Sequence, residues 1–182
     1  PRPVRARDTA VWRHSVELDK VQSAAEALLG LNNFAAYCKA REGASTIREL
    51  QKFEWRDVSA AAEPETYEAH VVADAFCWSM VRSLVGACLT VGEGKRSQSF
   101  TGDLLQETER SSDVPVAPAN GLNLVQVDYP ADAELAEAAG NALSRIGATL
   151  PEPLRVAIDT SGLFVPVWQE NSAPEPRLPV LR

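Results

Sequence analysis

Residues 76–86 read Phe-Cys-Trp-Ser-Met-Val-Arg-Ser-Leu-Val-Gly and place a single arginine, Arg82, inside an otherwise apolar stretch. At about 100° per residue the apolar side chains Phe76, Cys77, Met80, Val81, Leu84, Val85, Cys88 and Leu89 cover a broad arc of one helix. Arg82 falls at the edge of that arc, beside Trp78 and Leu89. A guanidinium is costly to bury unless it is paired. Two placements satisfy this. Arg82 either faces a carboxylate or phosphate where core meets cleft, or lays its stem on the core and reaches water. Asp74 stands where an N-cap would open the helix, predicted over Ala75 to Val91, and Gly92 and Gly94 would close it.

The rest of the chain is organised around this segment. Residues 1–13 read as extended, with Pro1, Pro3 and several arginines. Val16 to Leu29 has helical spacing, with Gly30 as its stop. Asn32-Asn33 begins a turn, after which Phe34 and Tyr37 share one short helical turn. Residues 45–58 read as a strand, although Ile47, Leu50, Phe53, Trp55 and Val58 alternate imperfectly. Tyr67 to Ala73 alternates cleanly, and the two runs make an antiparallel hairpin. Ser97 to Thr108 is expected to be a second helix, 111–120 a polar loop, and Gly121 to Val127 a short strand stopped by Pro130. This order predicts an α+β domain over residues 1–130, its helices packed on one face of a sheet. Residues 131–182 form an acidic, Pro-rich extension with an apolar patch around Trp168 and no catalytic pattern.

Charge and cysteine usage limit the chemistry. The net charge is −7, yet residues 1–100 carry 13 basic and 13 acidic residues, against 5 and 12 in residues 101–182. Phosphate binding needs local positive potential, not a positive total. The candidate patches are Arg2, Arg5 and Arg7; Lys39, Arg41 and Arg48; and Lys95-Arg96, each of which also reads as ordinary solvated surface. Three cysteines, Cys38, Cys77 and Cys88, with no Cys-x-x-Cys pair, argue against a disulfide framework and structural zinc, and predict reduced, buried thiols. His14 and His70 are isolated. Gly92-Glu93-Gly94-Lys95 follows a helix instead of opening one, so it does not read as a phosphate loop. No apolar run approaches the roughly 20 residues of a membrane helix.

An ordered set of short motifs goes further. Phe76, Met80-Val81-Arg82, Leu84-Val85-Gly86 and Val91-Gly92 resemble the helix of the TruA-type tRNA pseudouridine synthases. Leu28-Leu29-Gly30 with Asn33-Phe34, and Thr46-Ile47-Arg48, resemble preceding segments of that family. Ala117-Pro118-Ala119, Gly121-Leu122, Leu124, Val127 and Tyr129-Pro130 resemble its closing strand. The resemblance covers about residues 1–130. It implies isomerisation of uridine to pseudouridine in the anticodon stem-loop of tRNA, without metal or organic cofactor, by a cytoplasmic homodimer. An organellar or nuclear location would follow if a targeting segment preceded the chain. It further implies that Arg82 pairs with the catalytic aspartate or a nearby phosphate and that Leu122 lines the uracil pocket. Phe76 and Met80 would shape the cleft wall, with Arg48 a further substrate contact. Arg5, Arg7, Lys39, Arg41, Lys95 and Arg96 are the candidate RNA-binding cations.

The family's Arg-Thr-Asp-Ala-Gly segment, which carries the catalytic aspartate, does not occur in the sequence. Asp159-Thr160-Ser161-Gly162 is a partial look-alike beyond the resembling region. The expectation is therefore the C-terminal half of a longer enzyme, inactive alone and partnered by its N-terminal catalytic half. The alternative is a diverged protein that lost that half. The family's base-stacking tyrosine has no counterpart here. Asn32-Asn33, Asp74, Trp78-Ser79 and Ser83 also depart from the family pattern, and these changes bear on RNA contacts more than on fold. A non-catalytic RNA-binding domain and a protein-interaction domain are the rival readings.

Overall fold

A computed structural model describes residues 8–39, 41, 44–128, 131 and 134. The chain forms two compact units, Pro1–Gln126 and Val127–Arg182. In the second, the described geometry is one backbone hydrogen bond, from Glu134 N to the Ala131 carbonyl at 2.7 Å. Arg5, Arg7 and the apolar patch around Trp168 lie outside the described residues.

The first unit is α+β. Helix α1 spans Leu18–Glu26 and is followed directly by strand β1, Gly30–Asn33. Gly30 adopts a φ of 95°, which favours glycine and turns the chain from helix into strand. A 3-10 turn at Ala35–Tyr37 leads to β2, Ile47–Asp57, and β3, Tyr67–Ala73. Helix α2, Met80–Gly92, and the short α3, Phe100–Asp103, complete the unit, the latter running into a 3-10 turn at Leu104–Gln106. The three strands form one antiparallel sheet in the order β1-β2-β3. Asn32 and Asn33 therefore pair with Arg48 and Ile47 instead of opening a turn. Strand pairing across the sheet overrides the local turn preference of two asparagines.

The imperfect alternation of β2 has a structural cause. Leu50 pairs with Ala73 and Lys52 with Val72, so β2 advances two residues while β3 advances one. This bulge shifts the inward phase from even to odd positions. Leu50 before it and Phe53 after it both enter the core, at 1% exposure each. Trp55, Ala69, Val71 and Ala73 pack against the same core. The opposite phase of the hairpin carries charge: Glu54 lies 3.0 Å from Lys52 and 3.2 Å from Arg56, and pairs across the ladder with His70. Hydrogen bonding to Lys52 first, and to Arg56, holds the Glu54 carboxyl below the usual carboxylate range.

One core joins the layers: Val21, Ala24 and Leu28 of and just after α1, Phe34 and Tyr37, Leu50 and Phe53, and Met80, Leu84 and Val91 of α2. Two of its polar groups are matched internally, while the buried Ser83 Oγ finds no partner among the described residues. Tyr37 Oη donates to the Thr101 carbonyl at 2.7 Å, and Thr101 Oγ1 donates to the Ala24 carbonyl at 2.8 Å. Burial pushes the Tyr37 hydroxyl far above its ordinary range, so it remains a donor.

Helix α2 begins five residues later than expected. Asp74 does not cap it. Its Oδ1 accepts from Glu49 N at 3.0 Å and Ala75 N at 2.8 Å, and so ties the end of β3 to β2. Ser79 occupies the N-cap position with a left-handed φ of 69°. The intervening residues are held by main-chain and sulfur contacts instead of helical hydrogen bonds. Helix α1 is likewise shorter than the periodic run from Val16 to Leu29, and the second expected helix is confined to 100–103 plus one 3-10 turn. Residues 121–127 pair with no strand among the described residues. Among these residues, no helix is long and apolar enough to cross a membrane.

The cysteines differ from expectation. Cys38 and Cys77, 39 residues apart in sequence, form a disulfide with Cα atoms 5.8 Å apart. Cys88 is free and buried, and burial pushes its thiol far up. An odd count with no local motif does not reveal that the turn after Phe34 and the segment before α2 run side by side.

Segment 114–117 docks on α2 through a close backbone approach. A Cβ on Gly86 would lie 2.0 Å from the Pro115 carbonyl oxygen and 3.3 Å from Ala117 N. Gly86→Ala is expected to lower stability by about 1–3 kcal/mol, the usual range for overpacking, read as a lower urea midpoint. Titration of thiols in denaturant should find one without reductant and three after reduction.

Candidate active-site cleft

A cleft of about 670 Å³ opens in the first unit between the exposed side of α2, the sheet, the N-terminal segment and residues 117–125. Val81, Arg82, Val85 and Leu89 form its helical wall, which follows from the spacing 81, 82, 85, 89 on one helix face. Trp55, Tyr67, Ala69 and Val71 supply the sheet wall, and Arg13 and His14 line the N-terminal side. Leu122, half exposed, also lines the cleft, next to Gly121, which lies against the Asp8–Ala10 backbone.

Arg82 sits in the first turn of α2 and is half-buried. Its backbone carbonyl accepts from Ala117 N at 3.0 Å, while its Nε donates to the Ala117 carbonyl at 2.6 Å. These reciprocal bonds fix the plane of the guanidinium. Among the described residues, no acceptor meets its two terminal nitrogens. Arg82 thus presents two charged donors in a fixed fork at the cleft wall, the geometry suited to bidentate carboxylate or phosphate recognition. Of the two placements open from sequence, this is the boundary between core and cleft.

The N-terminal wall is anchored by a buried carboxylate. Glu93, with a side chain only 2% exposed, accepts a short hydrogen bond from Trp12 Nε1 and pairs with Lys95 Nζ at 2.5 Å. Glu17 N donates to the Gly92 carbonyl at 3.0 Å, holding the same segment to the end of α2. Trp55 Nε1, on the sheet wall, is buried and finds no acceptor among the described residues.

The structure brings Arg82 and Leu122 to one cleft and disperses the other candidates. Met80 is wholly buried in the core and does not shape the cleft wall, because its position on α2 faces α1 and the sheet. Phe76 is 42% exposed and lies in the non-helical segment, outside the cleft lining. Arg48 is half-buried on β2, with Nη1 donating to its neighbour's carbonyl, Ile47 O, at 2.5 Å. Lys95 is tied to Glu93, and Arg96 pairs with Asp113 at 3.0 Å while its guanidinium covers the Phe100 ring at 4.8 Å. Lys39 and Arg41 are exposed and lie outside the cleft lining. Trp55, Tyr67, Arg13 and His14 were missed from sequence, since only the hairpin pairing and the Trp12–Glu93 anchor bring them opposite α2. Among the described residues, no group of three or more His, Cys, Asp or Glu side chains is placed to hold a metal ion.

The family model for tRNA pseudouridine synthase matches residues 24–130. Similar proteins include the tRNA pseudouridine synthase A of Corynebacterium glutamicum, 63% identical over 137 residues, which are 75% of this chain and 47% of that protein. The protein of the same name from Mycobacterium leprae is 50% identical over 137 residues, 75% of this chain and 46% of its own length. That of Cutibacterium acnes is 46% identical over 145 residues, 80% of this chain and 51% of its own. The chain spans about half the length of the curated relatives it matches. The matched region contains α2, Arg82 and the 117–125 wall of the cleft, and the chain belongs to the tRNA pseudouridine synthase family.

Proposed function

We propose that this chain is the C-terminal half of an enzyme that isomerises uridine to pseudouridine in the anticodon stem-loop of tRNA. The observation that carries the reading is Arg82 in the cleft wall, locked by Ala117 and with no acceptor among the described residues at its two terminal nitrogens. In this reading the preceding half of the protein brings the catalytic aspartate to that fork. Arginine suits the task because it stays charged and offers two parallel donors, where lysine offers a point charge. The aspartate acts at the ribose while the N1–C1′ glycosidic bond breaks. The uracil turns, C5 bonds to C1′, the proton displaced from C5 leaves and the freed N1 takes one up, so substrate and product are isomers. The target nucleotide must leave its stack to enter the cleft. Leu122 would lie against the uracil.

The preceding half would also cover the extended run 122–127, where Leu124 and Val125 are 78% and 84% exposed. The assembly is a homodimer in the cytoplasm on this reading, with tRNA as its macromolecular substrate.

Pseudouridine mapping on tRNA treated with the full-length protein tests the proposal. Wild type is expected to form pseudouridine. Arg82→Ala is expected to lose on the order of 10²-fold in rate, the usual worth of a charge-assisted hydrogen bond made to reacting groups, and Arg82→Lys to recover little of it. The isolated chain of 182 residues should form none. A folded full-length protein that leaves a complete tRNA pool unmodified would sink the enzymatic reading.

A further inference from the structure

Outside the cleft, the structure builds a second feature that the isomerisation does not use. Trp78 lies in the non-helical segment before α2 and is 65% exposed. An indole left this open forgoes the burial that ordinarily stabilises it. It is nevertheless held in place. The Lys39 backbone N–H donates to the Trp78 carbonyl at 2.9 Å. One residue back on each side, Cys38 is joined to Cys77. The Lys39 ammonium stands over the indole, 5.2 Å from the ring centroid. Arg41, two residues on, is exposed.

We infer that Trp78 and Lys39 form a stacking platform for one unpaired nucleotide of the RNA, outside the isomerisation cleft. A nucleotide joins a flat π-face to a phosphate over a short distance, and the platform joins an aromatic face to an ammonium in the same way. Stacking on an aromatic side chain accepts any base, because every base has a π-face. The ammonium adds phosphate attraction without sequence preference. The disulfide and the Lys39–Trp78 hydrogen bond order the platform before RNA arrives, which reduces the entropy lost on binding. The pairing of ring and cation favours a nucleotide over a protein partner, whose hot spots combine such rings with a dry apolar surround.

The inference rests on the RNA-directed reading above, not on its chemistry. The test uses full-length protein and two fluorescein-labelled probes, an RNA hairpin with an unpaired loop and a blunt-ended duplex of the same stem. Trp78→Ala should weaken hairpin binding about tenfold and leave duplex binding unchanged, and Trp78→Phe should restore most of the loss. Lys39→Ala should weaken both and lower the salt dependence by about one unit. Wild-type affinity for the hairpin in Trp78→Ala overturns the platform, whether or not pseudouridine still forms. So does a fall in melting temperature without a change in affinity, which assigns the ring to a protein interface. Failure of Trp78→Phe to rescue also overturns it. Trp78-dependent hairpin binding by a protein that modifies no tRNA leaves the platform standing and removes the synthase reading.

Discussion

The close approach at Gly86 is the contact on which the cleft depends. With no Cβ there, the Pro115 carbonyl reaches the surface of α2, and Ala117 follows into register with Arg82 one turn earlier. The two Arg82–Ala117 hydrogen bonds then hold a guanidinium that would otherwise sample many rotamers. One backbone contact therefore does two things. It packs a loop against the middle of the apolar helix, and it orients the charged group that the helix carries. A larger residue at 86 would move the loop, and with it the acceptor that aims Arg82.

Behind this contact stands a core in which buried polar side chains are few. Tyr37, Thr101 and the Ala24 carbonyl form a short relay that ties the 3-10 turn, α3 and α1 together without leaving a buried donor idle. The bulge in β2 serves the same economy. It lets Leu50 and Phe53 both point inward while Lys52, Glu54 and Arg56 stay in water. The inner side of the hairpin can then continue from core into cleft wall through Trp55 and Val71.

The basic residues of the unit divide by what they touch. Lys95 and Arg96 are neutralised by Glu93 and Asp113, and hold loops to α2 and α3. Arg82 and Lys39 differ, because each is held by backbone contacts and presents its charge outward or over an exposed ring. The net charge of −7 is therefore a poor guide to where a polyanion would bind.

Much of the fold was legible in sequence wherever period and punctuation agree. The hairpin of β2 and β3, the helix carrying Arg82 and the α+β class follow from apolar spacing, which reports which face of a local element is buried. Arg82 itself was legible because one charge in an apolar arc needs a partner or an exit. Three things were decided only by tertiary structure. Asn32-Asn33 became strand because β2 offered hydrogen bonds that a turn could not. Asp74 ties β3 to β2 instead of capping α2, because the Glu49 backbone N–H lies within reach. Met80 and Leu122, alike as apolar residues, were separated into core and cleft by how α2 packs and where residues 117–125 dock. Local sequence encodes local periodicity. Which surfaces meet, and so which charges and cysteines become neighbours, depends on contacts between residues tens of positions apart.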